Sequence, residues 1–226
     1  MPYNLRVDLL SRIDHTLLKV NAGTGLEDFR AGARLVGENS LRAYVVPPNL
    51  VSQIAREFPN LCVATVVSYP LGCDTADVKA ASIRRAAEDG AREADIVLNL
   101  ASLVAGTDEY TAEASQLCEL AAKTGVAAKL IIETPILSLE RIREVCTALK
   151  PLEFLALKTS TGYYRDPTCV EHVKMIRECL GESHKLKASG GIGSLRQARE
   201  FAKAGADILG TSKTQAIIAE LQAEWY

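Results

Sequence analysis

Short apolar runs alternate with longer amphipathic runs along almost all of this 226-residue chain. The short runs predict eight β-strands, at residues 12–15, 42–46, 62–68, 94–100, 128–133, 154–158, 184–188 and 207–210. Some of these strands are apolar on both faces, as the run Ile96-Val97-Leu98 illustrates. Strands of that kind are covered on both sides, so the sequence predicts a parallel sheet flanked by helices.

The amphipathic runs carry apolar residues at helical spacing. They predict helices at residues 77–89, 108–123, 139–149, 168–180 and 195–204. Four of them are followed by a glycine, the residue that typically ends a helix: Gly90, Gly125, Gly181 and Gly205. Eight strand–helix units without a linker favour the α/β class and a single (β/α)8 TIM barrel, one domain over residues 1–226. The alternative, an open doubly wound sheet, would carry G-x-G-x-x-G after its first strand, where this sequence has none.

Charge and hydropathy exclude several classes of partner. The 26 Lys and Arg residues are balanced by 28 Asp and Glu residues, so no basic field favours nucleic acid or an anionic membrane. No apolar run approaches the ~20 residues that span a bilayer. Arg6 and Asp8 interrupt the apolar character of the N-terminal segment, so we expect no signal-peptide core and a cytoplasmic protein.

The six cysteines predict neither zinc nor disulfides. They are widely spaced, they form no C-x-x-C motif, and only three histidines accompany them. A structural zinc site needs four such ligands in short paired spacings. We therefore expect a protein without metal or cofactor, whose cysteines are mostly small buried hydrophobes.

Three lysines stand out because they lie within predicted strands. Lys129, Lys158 and Lys187 occupy the fifth, sixth and seventh strands. One such lysine would be interpreted as a surface residue or as a member of an ion pair, since lysine is rarely buried alone. Neighbouring strands of a barrel are only ~4.8 Å apart, so three lysines on consecutive strands indicate a shared site.

Lysines that converge in an apolar barrel mouth predict a particular chemistry. Burial and nearby like charges both lower the pKa of an ammonium group, and a partly neutral lysine attacks carbonyl carbons. Asp14 and Asp95, on other predicted strands, could hold a second lysine in its charged form and move protons. The pattern predicts Schiff-base chemistry on a carbonyl substrate.

Glycine-rich loops predict a phosphate site. Residues 190–193 (Gly-Gly-Ile-Gly) follow the seventh predicted strand, and residues 210–212 (Gly-Thr-Ser) end the eighth. Barrels bind phosphate at these two loops, where backbone N–H groups are exposed at a helix N-terminus. Residues 158–162 (Lys-Thr-Ser-Thr-Gly) add hydroxyl groups on the facing side.

With these motifs the chain resembles the deoxyribose-phosphate aldolases, class I aldolases built on a (β/α)8 barrel. The matching segments are residues 13–18 (IDHTLL), 65–72 (TVVSYPLG), 91–97 (AREADIV), 129–134 (KLIIET), 158–162 (KTSTG), 187–191 (KASGG) and 210–212 (GTS). They are collinear and extend over essentially the whole chain. The two segments that begin with Lys158 and Lys187 are together highly specific.

The resemblance implies a reaction and a role for each residue. The reaction is the reversible cleavage of 2-deoxy-D-ribose 5-phosphate to acetaldehyde and D-glyceraldehyde 3-phosphate. Lys158 corresponds to the Schiff-base lysine, Lys187 to the lysine that tunes its pKa and transfers protons, and Asp95 to the proton donor and acceptor. The implied supporting residues are Lys129, Asp14 and Thr16, and the implied phosphate ligands are Thr161, Gly162, Gly190, Gly191, Gly210 and Ser212. A homo-oligomer is compatible with the sequence.

Departures from the family pattern leave the preferred aldehyde open. Residues 44–46 (Tyr-Val-Val), Ser68 and Tyr69 differ from the usual pattern, so we expect an altered substrate pocket. Gly193 stands where many members have an arginine, and Lys213 is a candidate replacement for that cation.

Two alternatives stay open at this point. Another Schiff-base aldolase of the same superfamily, acting on a different short aldehyde or keto sugar, would keep the three lysines. A non-catalytic phosphosugar-binding barrel would keep the glycine loops but would not need Lys158, Lys187 and Asp95 together.

Overall fold

The computed structural model describes residues 9–224 and contains a closed barrel of eight parallel strands. The strands are β1 (Ile13–Thr16), β2 (Ala43–Val45), β3 (Val63–Val67), β4 (Glu93–Val97), β5 (Ala127–Ile131), β6 (Ala156–Lys158), β7 (Lys185–Ser189) and β8 (Ile208–Thr211). Each strand pairs with its neighbour in the chain, and β8 closes the ring on β1. The predicted (β/α)8 barrel is confirmed.

Helices surround this barrel. Within the described range they are α1 (Leu26–Glu38), α2 (Val51–Glu57), α3 (Ala76–Glu88), α4 (Leu100–Ala105), α5 (Glu109–Thr124), α6 (Leu139–Leu149), α7 (Val170–Leu180), α8 (Leu195–Lys203) and α9 (Thr214–Ala223). The five predicted helices correspond to α3, α5, α6, α7 and α8, with bounds that differ by two residues at most. Gly125 ends α5 as predicted: its φ of +77° reverses the backbone in the left-handed region that glycine tolerates.

The fourth predicted strand extends too far. It was expected to reach residue 100, whereas β4 ends at Val97 and α4 begins at Leu100. The side chain of Asn99 accepts a hydrogen bond from the backbone N–H of Ser102 and so caps this short helix. Leu98 and Leu100 flank the cap and continue the apolar run of β4, so the sequence alone does not mark the end of the strand.

Alternation along each strand separates an apolar outer layer from a charged interior. In β4, Ile96 packs in the apolar core beneath the helices, while Asp95 points into the barrel. In β5, Leu130 likewise packs in the apolar core, while Lys129 points into the barrel. The interior also contains a small apolar cluster, formed by Val45, Ala64 and Val66. Most of the core therefore lies between barrel and helices, and charge is concentrated inside the barrel.

No helix between residues 9 and 224 is long and apolar enough to cross a lipid bilayer. The segment that contains Arg6 and Asp8 lies outside the described residues, so the expectation drawn from it stays a prediction. The single domain over residues 1–226 also stays a prediction.

Candidate active site

Five charged side chains meet inside the barrel. They are Asp14 of β1, Asp95 of β4, Lys129 of β5, Lys158 at the carboxyl end of β6 and Lys187 of β7. In the strand pairing, Asp95 lies opposite Lys129, and Lys158 lies opposite Lys187. Four of the side chains are fully buried, and only Lys158 keeps an exposed fraction, of 4 %. The structure thus brings the three lysines and both aspartates together.

Asp95 is the centre of this cluster. The Nζ atoms of Lys158 and Lys187 donate to its Oδ2 atom over 2.6 and 2.7 Å, and Lys129 donates to its Oδ1 atom over 2.8 Å. Burial acts to raise the pKa of this carboxyl group, but the three ammonium groups outweigh it and hold the pKa of Asp95 well below its ordinary value. Asp95 is therefore a carboxylate that accepts protons only when a neighbouring charge is lost.

Asp14 lies deeper and shares two of the same lysines. Its Oδ2 atom accepts hydrogen bonds from Lys187 over 2.6 Å and from Lys129 over 3.3 Å. Lys187 consequently bridges the two aspartates, since it also donates to Asp95. This bridge fixes the Lys187 ammonium group on the oxygen atom that Lys158 also contacts.

Lys158 differs electrostatically from Lys129. Burial is the main reason why the pKa of Lys158 falls to about 8; Asp95 opposes the fall, and the charges of Lys187 and Lys129 add to it. Burial acts in the same direction on Lys129, but Asp95, Asp14 and Glu93 together raise the pKa of that lysine above its ordinary value. A group with a pKa near 8 is neutral in about a tenth of the molecules at pH 7. Lys158 is therefore the better nucleophile of the two.

The loops that follow β6 and β7 touch at the barrel mouth. Gly190 has a φ of +91°, and a Cβ atom there would lie 2.5 Å from the Ser160 hydroxyl oxygen and 3.5 Å from the Gly162 Cα atom. Only glycine fits such an approach. The contact leaves the backbone of both loops exposed at the mouth, since Gly162, Gly190 and Gly191 all retain some solvent accessibility.

Gly210 has a different surrounding from the other glycines. A Cβ atom at this position would lie 2.9 Å from the Ser189 Cβ atom and 3.1 Å from the Lys187 Cε atom. The missing side chain thus makes room for the aliphatic part of Lys187 inside the barrel. Gly210 contributes to the site by allowing Lys187 to reach Asp14 and Asp95.

No family model matches the chain, but individual relatives do. The deoxyribose-phosphate aldolase of Treponema denticola is 32 % identical over 215 residues, which are 94 % of this chain and 99 % of the relative. The deoxyribose-phosphate aldolase of Desulfitobacterium hafniense is 34 % identical over 215 residues, or 94 % of this chain and 98 % of the relative. The chain belongs to the deoxyribose-phosphate aldolase family.

Solved structures agree with this membership in the deoxyribose-phosphate aldolase family. The tetrameric deoxyribose phosphate aldolase of Aeropyrum pernix superposes with a TM-score of 0.87 at 28 % identity, covering 97 % of this chain and 93 % of that chain. An aldolase called QR15 superposes with a TM-score of 0.86 at 29 % identity, covering 96 % of this chain and 97 % of that chain.

Tyr44, one of the departures from the aldolase family pattern, does not belong to the pocket. Its ring is fully buried outside the barrel, and its hydroxyl group donates to the Phe29 carbonyl oxygen of α1 over 3.0 Å. Gly32 of the same helix provides the space, since a Cβ atom there would lie 2.3 Å from the Tyr44 hydroxyl oxygen. The prediction of an altered pocket at Tyr44 is wrong, because alternation turns Val45, and not Tyr44, into the barrel.

Tyr69, a second departure, does reach the mouth. Its ring packs on the interior apolar cluster of Val45, Ala64 and Val66, and its hydroxyl group donates to the Thr161 carbonyl oxygen over 3.3 Å. Ser68 lies beside it, with its hydroxyl oxygen accepting the Asp74 N–H over 3.2 Å. Both residues line a cavity of about 250 Å³ that also includes Leu18 and Val66. Ser68 and Tyr69 therefore belong to the mouth, and the ring of Tyr69 forms part of its apolar side.

The side chains of His15 and Thr16, the last two residues of β1, point to opposite faces of the strand. Thr16 lies on the same face as Asp14, and its hydroxyl group donates to the Asp14 backbone oxygen over 3.2 Å, not to its carboxylate. The His15 Nδ1 atom lies 2.9 Å from the Thr214 hydroxyl oxygen, and its ring stacks on Tyr44. Burial lowers the pKa of His15 to about 4, so this histidine is a neutral packing residue outside the site.

The last predicted phosphate ligands lie at the start of α9. Ser212 and Lys213 are exposed, and the Lys213 N–H donates to the Thr211 hydroxyl oxygen over 2.9 Å. A Cβ atom on Gly193 would lie 4.0 Å from the Lys213 Cγ atom. The stem of Lys213 thus passes beside Gly193, so the two positions are neighbours in space.

Glu133, at the carboxyl end of the fifth predicted strand, was given no role by the sequence but lies at the mouth. Its Oε2 atom accepts the Thr161 N–H over 2.8 Å, while Oε1 is buried and has no hydrogen-bond partner among the described residues. Burial raises the pKa of Glu133. Its position directly after the apolar run of β5 places it at the mouth, but only the structure shows the oxygen without a partner.

Arg42 and Glu93 were also missed. The Arg42 guanidinium donates to both carboxylate oxygens of Glu93, over 2.6 and 3.0 Å, and to the Asp14 Oδ1 atom over 2.5 Å. Glu93 additionally accepts Lys129 over 2.6 Å. Charged residues at the beginning of otherwise apolar strands are the corresponding sequence signal.

Proposed function

We propose that this protein reversibly cleaves 2-deoxy-D-ribose 5-phosphate into acetaldehyde and D-glyceraldehyde 3-phosphate through a Schiff base on Lys158. The observation that carries the proposal is the pairing of a lysine whose pKa is about 8 with the carboxylate of Asp95 at 2.6 Å. Nucleophile and proton acceptor thus share one hydrogen bond, with Lys187 on the same oxygen atom.

The first steps form an iminium ion. The neutral amine of Lys158 attacks C1 of the open-chain aldehyde, and the carbinolamine then loses its hydroxyl group as water. The proton for this water comes from the hydrogen-bonded chain of Asp95 and Lys187, whose reacting atoms lie 2.7 Å apart. The Lys158 nitrogen is then part of a protonated C=N bond that attracts electrons.

The cleavage step breaks the bond between C2 and C3. The C3 hydroxyl proton leaves to Asp95, directly or through a water molecule, and C3 becomes the aldehyde carbon of glyceraldehyde 3-phosphate. The electron pair of the broken bond moves to the iminium nitrogen and forms an enamine. Protonation of C2 and hydrolysis then release acetaldehyde and restore the amine of Lys158. The low pKa of Asp95 keeps it ionised before cleavage. It becomes a better proton acceptor during the step, because the positive charge on the Lys158 nitrogen is lost as the enamine forms.

The phosphate is proposed to bind at the glycine loops. The touching loops at Gly162 and Gly190 leave exposed backbone at the mouth, next to Thr161, Gly191 and Ser212. Anions bind at such positions through backbone N–H groups. Lys213 is proposed to supply the positive charge that Gly193 does not.

No group of three or more His, Cys, Asp or Glu side chains in residues 9–224 is arranged to hold a metal ion. The expectation that the reaction needs neither metal nor cofactor stays a prediction. The tetrameric Aeropyrum pernix structure supports the proposal that this chain also forms a homo-oligomer, which light scattering during gel filtration measures. A cytoplasmic location is proposed as well, and so is the absence of membrane and nucleic-acid partners.

Borohydride trapping with acetaldehyde tests the proposed function. Reduction of the Schiff base fixes an ethyl group on the reacting lysine, and peptide mass spectrometry locates it. We expect the label on Lys158 and a yield that rises with pH through about 8, because only the neutral amine reacts. A label on another lysine, or none, contradicts the proposal.

A substrate screen separates the alternatives. Preferential cleavage of the aldol product of a different short aldehyde, or of a keto sugar, over deoxyribose 5-phosphate would identify a different Schiff-base aldolase. Binding of the phosphosugar without any cleavage would identify a non-catalytic barrel.

Lys187→Met is expected to shift the pH profile of adduct formation to higher pH. Lys187 lowers the pKa of Lys158, so removal of its charge lets that pKa rise and leaves less neutral amine at pH 7. The pH dependence of borohydride trapping measures the shift. An unchanged midpoint would remove Lys187 from the tuning role.

Lys213→Ala is expected to raise KM for deoxyribose 5-phosphate ~10–100-fold, since a charge-assisted hydrogen bond contributes ~1.5–3 kcal/mol. Cleavage of unphosphorylated deoxyribose should not change. Lys123→Ala, which removes an exposed lysine of α5, is the matched control. Equal effects on both substrates, or no effect on either, would show that Lys213 does not bind the phosphate and that the backbone of the glycine loops holds it.

A further inference from the structure

We propose that Arg42 and Glu93, at the end of the barrel opposite the mouth, are positioning residues that set the charge balance around Lys158 from a distance. The proposal rests on the proposed Schiff-base function of Lys158. It gives a role in the reaction to an ion pair that touches neither the nucleophile nor the mouth.

The location of the pair separates it from the reacting atoms. Arg42 directly precedes β2, and Glu93 is the first residue of β4, so both lie at the amino-terminal ends of the strands. Lys158 is the last residue of β6, at the carboxyl end. The Arg42 and Glu93 side chains are 16 % and 10 % exposed, which places them in the floor of the barrel.

A continuous chain of ion pairs connects Arg42 with Lys158. Arg42 donates to Asp14, and the other carboxylate oxygen of Asp14 accepts Lys187 over 2.6 Å. Lys187 also donates to Asp95 over 2.7 Å, and the same Asp95 oxygen accepts Lys158 over 2.6 Å.

A second chain begins at Glu93. Its carboxylate accepts Lys129 over 2.6 Å, and Lys129 donates to Asp95 over 2.8 Å. Both chains therefore meet at Asp95, the side chain that holds Lys158. Removal of a charge at the floor therefore changes how strongly Asp95 stabilises the ammonium form of Lys158 at the mouth.

The number of positive and negative charges in the network explains why one lysine is deprotonated more easily. The network contains four formally cationic side chains and three carboxylates: Arg42, Lys129, Lys158 and Lys187 against Asp14, Glu93 and Asp95. A buried network disfavours an uncompensated charge. When one lysine loses a proton, the numbers of positive and negative charges become equal.

Lys158 is the member of the network that can lose that proton. Burial acts to lower the pKa values of Arg42 and Lys129, but nearby carboxylates outweigh it and raise both. Among residues 9–224, Lys158 contacts a single carboxylate oxygen, and its pKa falls to about 8. Arg42 contributes one positive charge to the net charge of the network, and Glu93 contributes one negative charge.

Other titratable groups near this network are few. The strand register places Lys185, the first residue of β7, on the inward face at the floor end, where it is exposed to solvent. Cys62, before β3, is held as a neutral thiol because burial raises its pKa to about 11. Glu133 and Tyr69 lie at the mouth, and burial raises the pKa of each. β2, β3 and β8 present to the interior the non-titrating residues Val45, Ala64, Val66 and Gly210.

The test compares the pH midpoint of acetaldehyde trapping in two single variants. Arg42→Met removes a positive charge, favours the ammonium form of Lys158 and should move the midpoint to higher pH. Glu93→Gln removes a negative charge, favours the amine and should move it to lower pH. Each shift is expected to be on the order of one pH unit, as for charges roughly 10 Å apart at an effective dielectric constant of ~20. The double variant Arg42→Met/Glu93→Gln should return close to the wild-type midpoint.

Opposite shifts distinguish this role from a structural one. Damaged packing would lower the adduct yield in both variants without moving their midpoints apart, and shifts in the same direction, or none, overturn the proposal. Glu93→Gln is nearly isosteric and keeps the test decisive if Arg42→Met does not fold: an unchanged or higher midpoint in that variant overturns the proposal. Arg42→Lys keeps the charge and should keep the wild-type midpoint.

The wild-type protein separates this proposal from the proposed function. A wild-type adduct on Lys158 together with unshifted variants overturns only the role of Arg42 and Glu93. Absence of any wild-type adduct overturns the Schiff-base function, and the proposal with it.

Discussion

Lys158→Met is expected to abolish the cleavage of deoxyribose 5-phosphate, with a loss on the order of 10⁴-fold or more, because the reaction then lacks its nucleophile. Lys129 does not substitute for it, since neighbouring carboxylates raise the pKa of Lys129 and keep it charged. Methionine has nearly the length of the lysine stem, and it leaves Asp95 with hydrogen bonds from Lys187 and Lys129.

The measurement combines turnover, trapping and thermal unfolding. Lys174→Met is the matched control, since Lys174 lies on α7, the helix that follows β6, and is exposed. This control should keep wild-type turnover, and both variants should unfold near the wild-type Tm. Turnover of Lys158→Met within a hundredfold of wild type, or an acetaldehyde adduct on another lysine, would show that the nucleophile lies elsewhere.

The barrel was predictable because its signal is local and repeated. Each strand is a short apolar run, and the helices carry their own spacing and stop signals, as α6 shows by matching its predicted bounds of residues 139–149. Errors arose where two elements join without a break. Between Val97 and Leu100 the strand ends and a helix begins inside one apolar run, and the Asn99 cap is recognised only from the hydrogen bond it accepts from Ser102.

The meeting of the three lysines was also predictable, but their ranking was not. Consecutive strands and inward alternation bring Lys129, Lys158 and Lys187 together. Their pKa values depend on which carboxylates they meet, and those contacts join distant parts of the chain. Lys129 meets Glu93, Asp95 and Asp14, whereas Lys158 meets Asp95 alone.

Assignment of Tyr44 to the pocket failed for a related reason. A departure from a family pattern shows that a position differs, but not which side of the strand it faces. In β2 no charged residue marks the inner face, so the sequence did not distinguish Tyr44 from Val45. The space that Gly32 provides in α1, twelve positions earlier, decides the question.

Asp95→Asn is expected to lower turnover by ~10²–10⁴-fold, the usual contribution of a positioned proton-transfer group, and yet to preserve adduct formation. Asp95 opposes the effect of burial on Lys158, so its neutralisation should lower the pKa of Lys158 below about 8. More neutral amine is then present at pH 7, and borohydride should trap acetaldehyde at a lower pH than in the wild type. Persistent trapping with lost turnover is the signature of a missing proton acceptor.

Destabilisation has to be separated from this effect, because removing one partner of a buried ion pair costs ~3–5 kcal/mol. Asp14→Asn is the matched control: Asp14 also contacts Lys187 and Lys129 but has no contact with Lys158. Comparable losses of Tm are expected in the two variants, together with a much smaller loss of turnover in Asp14→Asn, because its carboxylate is one lysine further from the reacting carbon. If Asp95→Asn kept turnover within tenfold of Asp14→Asn, the C3 proton would have to leave through another group, and Glu133, with its unpaired Oε1 atom at the mouth, would be the next to substitute.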